Sequence, residues 1–125
     1  MNPYARQAKE YRYQEVMGAS PIGLIIIAYE ATIAACRRQD LEGTSRALSA
    51  LRNSLNFEHR EIASKLFSIY VWCGDLARAG KWEEAAGILD DLRAAWVQGE
   101  QQMSVSRQAA AEAVFTAGQA PVPAL

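Results

Sequence analysis

Side chains able to do chemistry are few in this sequence, and His59 is its single histidine. General acid–base catalysis would have to use His59 or a pair of carboxylates. His59 lies between Glu58 and Glu61, but a His-x-Glu pattern without a second histidine or a nearby cysteine is not a metal-binding signature. The sequence also has no glycine-rich phosphate loop and no serine–histidine–aspartate set. We therefore predict no enzymatic activity, no metal and no cofactor, and interpret this segment as a solvated corner.

The two cysteines, Cys36 and Cys73, fall on apolar stripes with helical spacing, where a small thiol packs well. The first sixteen residues, MNPYARQAKEYRYQEV, are polar and charged and do not resemble a secretory signal peptide. This favours a cytoplasmic location in which both thiols stay reduced. Two pairs of adjacent carboxylates are Glu83–Glu84 and Asp90–Asp91. The two side chains of each pair point about 100° apart on a helix, so we interpret them as parts of solvent-exposed faces.

The composition predicts one globular domain of 125 residues, because 50% of them are hydrophobic and 22% are charged. Thirteen basic and fourteen acidic residues give a net charge of −1, without the basic excess that nucleic-acid binding requires. The most apolar stretch, residues 22–36, contains Glu30 and is shorter than the roughly 20 residues of a membrane span. We therefore expect neither nucleic-acid binding nor membrane insertion.

Twenty-three alanines, with four prolines confined to the regions near the two ends, indicate an all-α chain. Ser20-Pro21 is a typical helix start. Apolar residues recurring every three or four positions predict four helices, over about 21–38, 41–57, 61–79 and 82–104. Short corners between them predict an antiparallel up-down four-helix bundle. The predicted core comprises Ile22, Ile25, Ile26, Tyr29, Ile33, Cys36, Leu41, Leu48, Leu51, Leu55, Ile62, Leu66, Ile69, Cys73, Leu76, Trp82, Ala85, Leu89, Leu92, Trp96 and Met103.

The ends of the chain lack this periodicity. Residues 1–19 contain three tyrosines and are predicted to form an N-terminal arm, whereas residues 20–104 form the bundle core. Residues 105–125 form an alanine-rich tail, expected to be a short or frayed helix and partly disordered. The sequence leaves open whether this tail continues the fourth helix.

The first helix has more apolar residues than one core-facing stripe needs. Leu24, Ile27 and Ala31 lie roughly opposite its core stripe on a helical wheel, together with Ala34 and Ala35. Phe67, Val71 and Gly74 form a similar second face on the third helix. Small residues flanked by bulky ones can form a groove for another helix or an extended segment. The chain's own arm or tail, a second copy or a partner could cover these faces.

The sequence resembles the flagellar secretion chaperones called FliS. Their opening pattern, Tyr-x-x-x-x-Val-x-x-Ala-Ser/Thr-Pro-x-x-Leu-x-x-x-x-Tyr, is matched by Tyr11, Val16, Ala19-Ser20-Pro21, Leu24 and Tyr29. The likeness covers about Asn2 to Gln98 and continues through Leu55-Asn56-Phe57-Glu58-His59, Glu61-Ile62-Ala63, Tyr70, Leu76, Ala79, Leu89, Leu92-Arg93 and Ala95-Trp96. Where the family has Tyr-Asp-Tyr-Met, this chain has Tyr70-Val71-Trp72-Cys73, and the link from Ala79 to Ala95 is shorter. These departures suit a divergent member or a relative with another flagellar client.

The resemblance implies a cytoplasmic, non-enzymatic export chaperone that binds the C-terminal segment of flagellin through hydrophobic grooves. Such a chaperone prevents premature polymerisation and aids delivery to the flagellar export apparatus, a second possible partner. In the family, the N-terminal arm can occupy part of the groove when flagellin is absent. We combine this resemblance with the extra apolar faces of the first and third helices to predict the partner-binding residues. They are Tyr11, Val16, Leu24, Ile27, Ala31, Phe67 and Val71.

The residues themselves leave two alternative functions open. A histidine phosphotransfer bundle would fit the length and the number of helices, but His59 falls at a predicted corner and lacks a His-x-x-Lys-Gly context. A structural bundle could instead dimerise through the extra apolar faces. Light scattering would distinguish this dimer from a monomer with an open groove.

Overall fold

The structure, a computed structural model, describes Gln14 and residues 17–118, with side chains as far as Val114. Within these residues the chain forms four α-helices and no strand, which confirms the all-α bundle. A 3-10 turn at Phe57–His59 precedes the third helix. The helices are α1 (Pro21–Arg37), α2 (Leu41–Asn53), α3 (Arg60–Arg78) and α4 (Trp82–Gly118).

The helix ends follow the local signals in the sequence. The Ser20 hydroxyl accepts a hydrogen bond from the Gly23 amide at 3.0 Å, and the Asp40 carboxylate accepts one from the Gly43 amide at 2.9 Å. These contacts satisfy amides that have no partner in the first turns of α1 and α2. After α3, Gly80 adopts a φ of 76°, a left-handed conformation that glycine accommodates without strain.

The four helices are packed as a ring. Each helix packs against its neighbours in the chain, and α1 also packs against α4, whereas α1 and α3 lie on a diagonal. Connections of only a few residues require successive helices to run antiparallel. The bundle is therefore of the up-down type.

Tyrosines, thiols and aliphatic side chains fill the centre of the bundle. Tyr29, Cys36, Cys73 and Leu89 have no exposed surface. The hydroxyl of Tyr29 lies 2.5 Å from that of Tyr70, which satisfies both polar groups inside the core. This hydrogen bond joins the diagonal helices α1 and α3.

Three residues predicted to lie in the core are exposed instead: Leu41 (43%), Ile62 (57%) and Met103 (44%). Leu41 and Ile62 lie in the first turns of α2 and α3, at the ends of the bundle. Met103 lies beyond the level at which α1 begins, since Ser20 contacts Glu100. Helical periodicity gives the direction of a side chain but does not show whether another helix is present at its level.

The fourth helix is much longer than the others, with 37 residues against 17 in α1. At 1.5 Å per residue it spans about 55 Å, against about 25 Å for α1. It continues through the predicted tail boundary at Ser104, and residues 101–114 are exposed throughout. We call residues 101–118 the α4 extension. Residues 119–125 of the predicted tail lie outside the described part of the chain.

Over the part of the chain that the structure describes, no helix combines the length and apolar character needed to cross a membrane.

Candidate partner-binding groove

A groove of about 570 Å³ lies between the beginning of α1 and the part of α4 that passes it. Its apolar lining includes Ile22, Ile26, Ile27 and Met103. The polar residues along it are both acidic and basic, comprising Glu30, Glu100 and Arg107 among others. An apolar lining with a charged rim suits an amphipathic protein segment.

One end of the groove is fixed by a polar contact between the two helices. Ser20 donates a hydrogen bond from its hydroxyl to Glu100 Oε2 at 3.1 Å, while Ser20 Oγ itself accepts a hydrogen bond from the Gly23 amide. A β-carbon at Gly23 would lie 3.3 Å from Glu100 Oε2, which is tighter than usual packing. Glycine at this position therefore lets the Glu100 carboxylate approach the start of α1, where the helix dipole favours a negative charge.

Farther along, Arg93 on α4 links the helices on the same side. Its guanidinium lies 3.9 Å from Glu30 on α1 and 3.2 Å from Asp90 on its own helix. These groups are partly exposed, so the pairs contribute little to stability.

The predicted binding face of α1 lies beside this groove. Leu24 is 43% exposed, Ile27 and Ala31 are half-buried, and Ala34 is exposed. Only Ile27 among these four lines the groove itself. We call Leu24, Ile27 and Ala31 the α1 face.

Ala35 does not belong to this outer face, contrary to the prediction. Its exposed fraction is 3%, and Thr32, one turn before it, has none. Both residues are buried because helices flank α1 on two sides, so more than one stripe of α1 is covered. A helical wheel with a single core direction cannot anticipate this.

The second predicted face is on α3, where Phe67 is 42% exposed and Val71 is half-buried. Gly74, on the same stripe, is buried, and a β-carbon there would lie 3.7 Å from Leu48 on α2. The α3 face therefore borders α2. Since α1 and α3 are diagonal in the ring, the structure does not bring the two predicted faces into one groove.

The remaining predicted site residues, Tyr11 and Val16, lie outside the described residues. Sequence reasoning also missed two groups near the groove, Glu100 and Arg107, whose positions depend on how far α4 extends past α1. It did not single out Trp72, which is 52% exposed on α3. The departure from the FliS pattern at Tyr70-Val71-Trp72-Cys73 includes this tryptophan, but nothing in one sequence shows that its side chain faces outward.

Polar chemistry elsewhere in the described chain is sparse. His59 is exposed at the residue that precedes α3, in the predicted corner. No group of three or more potential metal ligands converges among the described residues. Burial, reinforced by Cys36 nearby, raises the pKa of Cys73 to about 11, and burial also raises that of Cys36. Both thiols are therefore protonated at neutral pH and poorly nucleophilic.

Comparison with models of known protein families, with curated proteins and with solved structures finds no match to this chain.

Proposed function

We propose that this protein is a flagellin export chaperone of the FliS type, which binds the C-terminal segment of flagellin in the cytoplasm. The observation that carries the proposal is a partly exposed apolar surface, the α1 face, next to an apolar groove with a charged rim. The resemblance in sequence supplies the identity of the client. The export apparatus would be a second partner.

The proposed task needs burial of apolar surface and no catalytic group. A client segment that self-associates through an apolar face is withheld from polymerisation when that face is bound elsewhere. Burying apolar area supplies the affinity, and ordering the client subtracts on the order of 2 to 5 kcal/mol. The complex can therefore be specific and still release its client.

The two separated faces suit a client longer than one helix. A segment bound to the α1 face would have to pass around the bundle to reach Phe67 and Val71, because α2 lies between α1 and α3. We therefore expect the two faces to contact different parts of one client. Tyr11 and Val16 would add contacts from the N-terminal arm.

The test is a substitution on the α1 face. Ala31→Arg places a long charged side chain on a half-buried position of that face and should weaken binding of the flagellin C-terminal segment at least about tenfold. Helicity and thermal unfolding should change little, because the arginine head can reach solvent. Isothermal titration calorimetry measures the affinity.

Ala50→Arg, at an exposed position on α2, is the matched control and should leave the affinity unchanged. Equal affinities for the two variants would contradict a role for the α1 face. Size-exclusion chromatography of a mixture with the client segment should give a 1:1 complex. A stable dimer of the chaperone that excludes the client would support the structural-bundle alternative instead.

A further inference from the structure

Trp72 on α3 is an exposed aromatic residue that belongs neither to the α1 face nor to the groove. More than half of its surface is exposed. Tryptophan is one of the residue types that dominate the binding energy of protein interfaces, because a single side chain buries a large apolar area. The residues around Trp72 therefore indicate what kind of partner would bind there.

Trp72 lies on the outer edge of α3, on the flank nearer α4. On the other flank, a β-carbon at Gly74 would lie 3.7 Å from Leu48 of α2. Trp72 comes two positions before Gly74, which places it about 200° around the helix. Since α2 and α4 are the neighbours of α3 in the ring, the flank away from α2 is the one nearer α4.

Ile88 on α4 lies at the same level as Trp72. Each is six residues from the turn that joins these two antiparallel helices, because α3 ends at Arg78 and α4 begins at Trp82. Ile88 is also on the flank of α4 that faces α3, about 140° around the helix from Arg93, which forms an ion pair with α1. Ile88 is half-buried and packs against the core, so it forms an apolar strip with Trp72.

Acidic and small residues of α4 border this strip. Glu84 and Asp91 lie about one turn before and one turn after Ile88, and both are exposed. Neither forms an ion pair with another residue that the structure describes. Gly87, between them, is exposed, and a β-carbon there would meet no atom within 4 Å. We call this surface the α3–α4 seam, which comprises Trp72, Glu84, Gly87, Ile88 and Asp91.

The basic residues nearby do not offset the two carboxylates of the seam. Lys65 lies 3.5 Å from Glu61, and Arg78 forms an ion pair with Asp75, so each of these cations is paired within α3. Even with Lys81 in the turn counted, the carboxylates are in excess. An apolar centre with surrounding negative charge complements a basic amphipathic segment.

We propose that the α3–α4 seam binds a basic amphipathic helix of a second protein. The apolar face of that helix would cover Trp72 and Ile88, and its backbone would approach closely at Gly87. Lysine or arginine residues with the spacing of Glu84 and Asp91 would pair with these two carboxylates. The inference does not rest on the proposed function, because the seam contains no residue of the α1 face, the α3 face or the groove.

A second copy of the chain fits the seam less well. A two-fold axis places the same patch of each copy against the other. Glu84 and Asp91 of one copy would then face the same carboxylates of the second copy. Like charges brought together in this way oppose association, so a basic partner is favoured over a dimer.

The test uses a labelled synthetic peptide of leucine and lysine, patterned as an amphipathic helix with the length of α3, 19 residues. A counterpart peptide has glutamate in place of lysine. Fluorescence anisotropy measures the affinity of both peptides for the full chain. The lysine peptide should bind at least about tenfold more tightly than the glutamate peptide. Equal affinities, or no binding of the lysine peptide, would overturn the proposal.

Trp72→Ala should weaken binding of the lysine peptide at least about tenfold, because it removes the apolar centre of the seam. Phe57→Ala is the matched control, since Phe57 and Trp72 have the same exposed fraction, 52%, but Phe57 precedes the other end of α3. The control should leave the affinity unchanged. An equal loss in both variants would overturn the proposal, because the peptide would then bind wherever an aromatic side chain is exposed.

A charge reversal tests the seam without removing an apolar side chain. Asp91→Lys should weaken binding of the lysine peptide at least about fivefold and strengthen binding of the glutamate peptide. Glu112→Lys makes the same change in net charge on the α4 extension and should alter neither affinity. Equal effects of the two substitutions would overturn the proposal, since only the net charge of the chain would then matter.

Two further measurements exclude other occupied surfaces. Ala31→Arg should leave the affinity for the lysine peptide unchanged, and a loss would place the peptide on the α1 face instead of the seam. Light scattering should give the same mass for the wild-type chain and for Trp72→Ala. A wild-type dimer that Trp72→Ala dissociates would overturn the proposal in favour of a second copy.

Discussion

At the scale of single residues, the buried polar groups have a structural explanation. The Tyr29 and Tyr70 rings meet edge to face, with centroids 6.0 Å apart, and each hydroxyl has the other as its partner. Burial raises the pKa of both tyrosines, so both stay neutral at physiological pH. Cys36 and Cys73 are likewise protonated core residues. The centre of the bundle is therefore uncharged and arranged for packing.

The raised pKa of Cys73 predicts a loss of stability in alkali. The unfolded thiol loses its proton near pH 9.0, whereas the folded thiol keeps it to about 11, so stability falls as pH rises through this window. Cys73 alone should contribute up to about 1.4 kcal/mol of this loss per pH unit. Urea unfolding of the wild-type chain and Cys73→Ala should show a shallower pH dependence in the variant. Ser68→Ala, at an exposed position on α3, is the control, and equal slopes for Cys73→Ala and the wild type would refute the assignment.

At the scale of helices, side-chain caps define where α1 and α2 begin. Asp40 caps α2 through the Gly43 amide, and the same contact favours glycine at position 43. A β-carbon at Gly43 would overlap the Asp40 carboxylate. Gly87 in α4 is different, since it is exposed and a β-carbon there would meet no atom within 4 Å. Substituting alanine at each of these two glycines therefore separates the effect of helix propensity from the effect of the Asp40 cap.

We expect Gly87→Ala to raise the free energy of unfolding by about 0.5 to 1 kcal/mol, the usual gain of alanine over glycine in a helix. Gly43→Ala should give no gain, or a loss of up to about 1 kcal/mol, because Asp40 must leave its capping position. Chemical denaturation measures both variants. A stabilisation of Gly43→Ala as large as that of Gly87→Ala would show that the cap contributes nothing.

At the scale of the whole molecule, whether a side chain is buried depends on whether all four helices are present at its level along the bundle. Leu89 in α4 is fully buried, whereas Ile62, in the first turn of α3, is 57% exposed. At the end of the bundle where α1 begins, side chains have fewer neighbouring helices. The groove between α1 and α4 opens at this end. The proposed chaperone function uses this incomplete end and the α1 face beside it.

This difference predicts unequal costs for two truncations that the sequence alone ranks as equivalent. Leu89→Ala should lower the free energy of unfolding by about 2 to 5 kcal/mol, because it removes core contacts and leaves a cavity. Ile62→Ala should change it by less than about 0.5 kcal/mol. Thermal and urea unfolding give the two values. A loss above 2 kcal/mol for Ile62→Ala would mean that the end of the bundle is closed.

The sequence by itself determined the helix number, the caps and most of the core, because these depend on local periodicity and on residues within one turn. Ser20, Asp40 and Gly80 each act where the sequence predicted. It also identified Leu24, Ile27 and Ala31 as apolar residues without a place in a single core stripe.

Only the tertiary structure decided which apolar residues have neighbours. It buried Ala35, left Ile62 and Met103 exposed, and separated the α1 face from the face of α3. It also brought Glu100 to Ser20, eighty positions away in the chain, and so defined the groove. The physical reason is that burial depends on the lengths and relative positions of whole helices, which no local pattern specifies.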